Sequence, residues 1–237
     1  MLTATPFRPF SAEHLAAIFL TIALPFLFAA IVRRGLVTER QVALGLSAIL
    51  VGNYVIYLLF LRRWGDLTWE ATLPMQMCDW AMAVIIVTLL TANRRWFEVA
   101  YFWGIGGTLQ AVLTPNLRFG FPDLRFLSFF VAHCGIILGV LFLMLTRRLR
   151  PYPLSILRAF AWSEAYFLVA MMVDHFTGVN YGFLLHKPEA FSLLSFLSDS
   201  RPMYLLQMQG LALLFFVLLY LPFGLNDFVK RARQRLI

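Results

Sequence analysis

Apolar residues run through this chain in long blocks that only short polar stretches interrupt. Seven blocks approach the twenty or so residues needed to cross a bilayer as a helix. They are Leu15–Val32, Val42–Leu61, Pro74–Leu90, Phe97–Leu113, Phe126–Leu145, Ile156–Val173 and Tyr204–Phe223. The third and fourth are shortest, at about 17 residues, near the lower limit for a span. Each carries apolar side chains around its whole circumference. The two-residue alternation of a membrane barrel is missing. Backbone in hydrocarbon must satisfy its own hydrogen bonds, so the blocks predict helices. The longest connection, about Asp174–Met203, holds Pro188, Pro202 and a short apolar stretch, Phe191–Leu197, expected to lie at the interface or re-enter it. No internal repeat is evident. The first 30 residues lack a basic leader and a small-residue cleavage site, so the first helix is expected to be retained.

Composition agrees. Of 237 residues 61% are hydrophobic and 14% charged, and mean hydropathy is +0.77. A soluble domain is nearer 45–50% apolar and 25% charged. The expected architecture is all-α: one polytopic helix bundle over residues 1–237. The formal charge of +8, with 20 Lys plus Arg against 12 Asp plus Glu, does not call for a nucleic-acid partner. It sorts by topology instead. Seven basic residues (Arg8, Arg62, Arg63, Arg118, Arg125, Lys187, Arg201) fall on one side. Thirteen (Arg33, Arg34, Arg40, Arg94, Arg95, Arg147, Arg148, Arg150, Arg158, Lys230, Arg231, Arg233, Arg235) fall on the other. The richer side is expected to be cytoplasmic. That puts the N-terminus outside and the C-terminus inside, as seven helices require. The run Lys230–Arg235 reads as a stop signal in contact with anionic headgroups. Trp64, Trp69, Trp96 and Trp103 read as interfacial belts.

Polar side chains in hydrocarbon are costly and default to functional candidates. Cys78, Gln110, His133, Gln207 and Gln209 share one depth band in the outer half. His14, Asp174, His175, Asn180 and Tyr181 cluster at the outer ends, and Asn53 and Glu164 lie nearer the midplane. One reading is a polar cavity open to the outer leaflet. The other is local hydrogen bonding between neighbouring helices.

With only two cysteines and no CxxC, zinc-ligand spacing is missing. Cys78 and His133 suit a nucleophile and its base: the imidazole takes the thiol proton and the thiolate attacks an acyl carbonyl. A buried free cysteine is also an ordinary small hydrophobe. His133 shares a helix face with Phe126, Phe129, Phe130 and Ile137, as a packing histidine would. Cys134 reads as packing. Gly104, Gly106 and Gly107 follow no strand and lack a Walker lysine, so they read as close helix packing.

Several motifs, in order, resemble the YwaF-like integral membrane proteins, bacterial relatives of the animal transmembrane protein 164 family. They are Phe10-Ser11 with His14; Leu73-Pro74 with Cys78-Asp79; Tyr101-Phe102-Trp103-Gly104 with Gly107, Leu109-Gln110-Ala111 and Leu113-Thr114-Pro115; Arg125-Phe126 with Phe129-Phe130 and His133; Asn180-Tyr181 with Leu184 and Lys187-Pro188; and Leu219-Tyr220-Leu221-Pro222-Phe223. The resemblance implies a phospholipid acyltransferase whose cysteine and later histidine correspond to Cys78 and His133. It also implies a bacterial plasma membrane. On this reading Cys78 carries the acyl chain as a thioester and His133 shuttles the proton. Gln110, Asn180 and Gln207 are oxyanion candidates, His14 is an orienting residue, and Tyr181 is a substrate-side candidate. Phospholipid or lysophospholipid is the partner, and no metal, nucleotide or other cofactor is needed. The alternatives are a small-solute transporter or channel lined by Asn53 and Glu164, and a non-catalytic lipid-binding protein.

Overall fold

The computed structural model describes residues 5–189 and 192–234. Phe191, where the short apolar stretch begins, and Arg235, where the basic run ends, lie outside them. Helices α1 (Ala12–Arg33) and α2 (Glu39–Trp64) come first. A one-turn helix, α3 (Trp69–Thr72), and a break then precede α4 (Met77–Thr91). Next, α5 (Arg94–Trp103), a π-helical turn (Gly104–Thr108) and α6 (Leu109–Leu113) follow one another. Helices α7 (Leu124–Arg147), α8 (Pro153–Thr177) and α9 (Arg201–Gln234) complete the bundle. Leu193–Phe196 forms a single 3-10 turn.

Among the described residues six helical stretches are long and apolar enough to cross a membrane: Ala12–Arg33, Glu39–Trp64, Trp69–Thr91, Leu124–Arg147, Pro153–Thr177 and Arg201–Gln234. The block expected over Phe97–Leu113 is the chain from α5 to α6. Its 10, 5 and 5 residues stay in right-handed helical backbone through both junctions. At 1.5 Å per residue they extend roughly 30 Å. Phe97 to Trp103 are all buried, so α5 forms the axis of the bundle.

The helices alternate in direction. The end where α1 begins is the entry end. There, Pro6 bridges to Phe119 ahead of α7. At the other, basic end Arg33 donates to Leu145 O at 3.2 Å, Arg147 pairs with Glu39, and Arg150 pairs with Asp227 at 2.7 Å. On the entry side Asp123 caps α7 and forms two bonds with the Arg125 guanidinium, which holds its carboxyl below the usual carboxylate range.

Small residues let the helices approach. A Cβ on Gly139 would lie 2.8 Å from Ile85 Cγ1 of α4, and one on Gly135 2.7 Å from Leu50 Cδ2 of α2. Gly104 packs against Ile136 and Val140, as the glycine reading expects, whereas Gly107 has no atom within 4 Å of the place its Cβ would take. Asn53 Nδ2 donates to Ser128 O at 3.1 Å and Cys134 Sγ to Ala17 O at 3.8 Å, so both tie helices together. Trp64 and Trp69 are exposed as a belt requires, but Trp103 is a correction. It lies at mid-bundle, 2% exposed, with its indole N–H on Ser163 Oγ at 2.9 Å. The neighbouring α8 supplies that acceptor, so an interface is not needed to satisfy the indole.

These contacts predict opposite outcomes for two glycines. Gly139→Ala forces a methyl into the Ile85 stem and should destabilise the protein by roughly 1–3 kcal/mol. Gly52→Ala meets nothing within 4 Å and should leave the melting temperature unchanged or raised. Thermal unfolding in detergent separates the two.

Candidate functional site

The helix that carries Cys78 starts three residues later than its proline suggests. Proline disfavours helical backbone in the residue before it, and Leu73 is extended (φ −78°, ψ 128°). Pro74 occupies the corner of a tight turn closed by Met75 N–H on Leu73 O at 2.8 Å. Gln76 is also extended, and its N–H donates to Asp79 Oδ2 at 3.0 Å. The helix therefore begins at Met77, and Cys78 sits in its first turn.

The break leaves Thr72 O and Met75 O with no helical partner, and tyrosines from elsewhere take these as well as Trp69 O, which Leu73 N–H already reaches at 3.1 Å. Tyr181 Oη donates to Trp69 O, Tyr54 Oη to Thr72 O at 3.4 Å, and Tyr166 Oη to Met75 O at 3.0 Å. Gln76 Oε1 accepts from Gly182 N–H at 3.3 Å. Trp80 packs edge-on to Tyr166, with centroids 5.4 Å apart. Helix α2, helix α8 and the loop after α8 thus converge on the segment that aims Cys78.

Beside Cys78 lies the Thr108 hydroxyl, at the end of the π turn. Such turns leave backbone groups out of register and recur at functional sites. Here Thr108 Oγ1 donates to Trp103 O at 3.4 Å and Gln110 Nε2 to Gly106 O at 3.0 Å. His133 reaches the same level from α7. Ile136 and Val140, three and seven residues further on, are the side chains that meet Gly104. They share a helix face with His133. Helix α7 runs antiparallel to α5, so one turn back toward the entry end sets His133 level with Gly107. Cys78 and His133 are both half-buried. Among the described residues no hydrogen bond joins them.

The two inner histidines differ in tautomer. His133 Nδ1 lies 2.8 Å from Phe129 O, which can only accept, so Nδ1 carries the proton and Nε2 presents a lone pair. Its ring stacks on Phe129 at 3.9 Å. His14 is the reverse. Its Nδ1 accepts from Phe10 N–H at 2.9 Å, and Nε2 lies 2.8 Å from Val112 O and must donate. The His14 ring is wholly buried among Phe7, Phe10 and Phe130 with both nitrogens committed, so it ties α1 to the end of α6.

The remaining candidates are also occupied. Asn180 Oδ1 accepts from Leu185 and His186 N–H and its amide donates to His186 O, closing the loop after α8. Tyr181 is fully buried, its N–H on Asp174 Oδ1 at 2.9 Å. Burial also pushes the Tyr181 phenol above its ordinary value. Gln207 Oε1 accepts from Ser198 N–H at 2.6 Å, and Gln209 pairs with Glu164 at 3.2 Å across α8 and α9. His175 is exposed against Phe176. The depth band thus divides: its glutamines on α9 bind neighbours, while Cys78 and His133 flank the π turn. Thr108, Tyr54 and Tyr166 escaped sequence reasoning, and Asp79 entered it only as part of the Cys78-Asp79 motif. Only the Pro74 to Cys78 spacing hinted that a broken helix needed carbonyl partners. Among the described residues no three His, Cys, Asp or Glu side chains converge as a metal would require.

A structural His14 has a measurable consequence. His14→Ala leaves Val112 O and Phe10 N–H without their partners and should cost about 1–3 kcal/mol for each group left buried and unpaired. The melting temperature should fall while alkylation of Cys78 in the folded protein keeps its rate.

Neither a curated protein nor a solved structure matches the chain. A family model does, over residues 9–220, which takes in α1 to α8 and most of α9. Cys78, Thr108 and His133 all lie within the matched span, and the chain belongs to the TMEM164 family.

Proposed function

We propose that this protein is a membrane-embedded lipid acyltransferase or acyl hydrolase in which Cys78 is the nucleophile and His133 the general base. The observation that carries the reading is the free Nε2 lone pair of His133, held by Phe129 O at the level of the Cys78–Thr108 contact. The substrate is a membrane phospholipid or lysophospholipid. His133 Nε2 takes the Cys78 proton, and the sulfur bonds to the ester carbonyl carbon. The tetrahedral intermediate expels the lysolipid alcohol, which leaves with the proton from Nε2. The thioester is then attacked by the hydroxyl of an acceptor lipid or of water. That hydroxyl gives its proton to Nε2, and the departing sulfur recovers it. The N–H of Cys78 in the first turn of α4 lies beside the sulfur and suits the oxyanion. Gln110 already spends an amide hydrogen on Gly106 O, and Asn180 and Gln207 hold loops.

The same reading takes Arg94–Leu113 as a seventh span, with the N-terminus outside, the basic end in the cytoplasm and anionic headgroups against the tail from Lys230. The membrane is the plasma membrane of a bacterium. The entry end then lies in the outer leaflet, and the first turn of α4 meets lipid esters just below the headgroups.

Acyl transfer between phospholipids, followed by mass spectrometry on purified protein in vesicles, tests the chemistry. Cys78→Ala should abolish transfer, and His133→Ala should slow it by about 10²–10⁴-fold. Full transfer by Cys78→Ala would sink the proposal. Topology has its own check. In a background of Cys78→Ser and Cys134→Ser, a Lys230→Cys variant should react with an impermeant maleimide only after cells are opened. Labelling of intact cells would reverse the orientation.

A further inference from the structure

At the basic end, away from Cys78, two helices begin side by side. Helix α5 starts at Arg94 after its cap Asn93, and α8 starts at Pro153 after Tyr152. The Arg94 guanidinium lies over the Tyr152 ring, 3.4 Å from its centroid, and Arg150 lies 4.7 Å from the same centroid. One turn into α5 is Glu98, only 1% exposed. Its Oε2 accepts from Arg158 Nη1 of α8 at 2.7 Å, and its Oε1 lies 3.4 Å from Arg94 Nε without a hydrogen bond. Asn93, Arg94, Arg95, Glu98 and Arg158 line a cavity of about 510 Å³.

Three guanidinium groups thus surround one carboxylate, leaving two positive charges over. Orientation of the chain does not need this arrangement, because arginines in a solvated loop give the same bias. Burying Glu98 is costly, and what it achieves is to fix Arg158 and Arg94 around the cavity. Tyr152 fixes the plane of Arg94 as well. The Nη atoms of Arg94, one Nη of Arg158 and the whole side chain of Arg95 keep their hydrogens uncommitted among the described residues. The starts of α5 and α8 add positive partial charge at the same place. Planar donors held in advance beside two helix starts match the oxygens of a phosphate group.

We propose that this cavity binds a phosphate group, carried by an anionic lipid headgroup or free in solution, through Arg94, Arg95 and Arg158. The site stands at the opposite end of the bundle from Cys78 and does not depend on the acyl-transfer reading. Arg95 pairs with no carboxylate, so Arg95→Gln removes ligand contacts without uncovering a buried charge. Glu98→Gln combined with Arg158→Gln removes the buried pair together.

The test uses the full-length protein in nanodiscs and reads its melting temperature. Phosphatidylglycerol nanodiscs are compared with phosphatidylcholine nanodiscs, and inorganic phosphate is titrated into the latter against chloride at equal ionic strength. A saturable rise with either probe is expected. A rise with phosphatidylglycerol alone assigns the lipid headgroup, and one with inorganic phosphate assigns free phosphate. Arg95→Gln should melt as wild type without ligand and bind about tenfold more weakly, the effect of one charge-assisted contact. The double variant should lose the response. No rise with either probe, or an equal rise in wild type and both variants, overturns the proposal.

Discussion

The architecture around Cys78 depends on backbone carbonyls at the helix break around Pro74. In hydrocarbon no water can take them, so the protein must. Three tyrosine hydroxyls do so, from α2, from α8 and from the loop after α8. A fourth, Tyr101, donates to Leu219 O of α9, three residues before Pro222. On Thr72 O and Met75 O the hydroxyl stands in for a lost helical bond with a tertiary one. The broken segment therefore becomes the place where otherwise separate helices are pinned.

That constraint has a consequence for chemistry. A helix restarted inside the bundle delivers a first turn, with its unpaired N–H groups, to a depth where an unbroken span would show only side chains. Cys78 occupies that turn. The π turn across from it works in the same direction. It disturbs the ladder of the axial segment just where Thr108 meets Cys78, and the loss is repaired locally by the Thr108 hydroxyl and the Gln110 amide. Gly107 leaves open space at this level, whereas Gly104 and Gly106 are filled by Ile136, Val140 and Leu219. Two imperfect helices meet there, and Gly107 is where their packing leaves room.

Six spans were legible because an apolar block of such length has few alternatives, although α9 continues past its block to Gln234. The start of α4 was misplaced, since proline suits the first position of a helix as readily as the turn before one. Partners were less legible than depths. Gln207 and Gln209 share the band of Cys78 and His133, but composition does not say which neighbour claims an amide. His14 and His133 look alike in sequence and are opposites in the fold, because each tautomer is dictated by carbonyl and N–H groups far from it or hidden in its own helix. Trp103 read as interfacial for the same reason: its acceptor, Ser163, lies sixty positions away.

The basic end shows how a bulk property hides structure. A charge excess on one side of a membrane orients the chain whatever the side chains touch. Yet Arg147, Arg150 and Arg158 each meet a carboxylate from another helix. These pairs join α7 to α2, the start of α8 to α9, and α8 to α5, the ends that lipid-facing apolar contacts hold least firmly. Topology therefore accounts for the sign of the excess, and packing accounts for where most of these guanidinium groups point. Among the arginines beside Glu98, the one that packing does not account for is Arg95, which lines the cavity with no acidic partner among the described residues. An arginine kept unpaired next to two paired ones leaves a local surplus of charge that the fold itself does not neutralise.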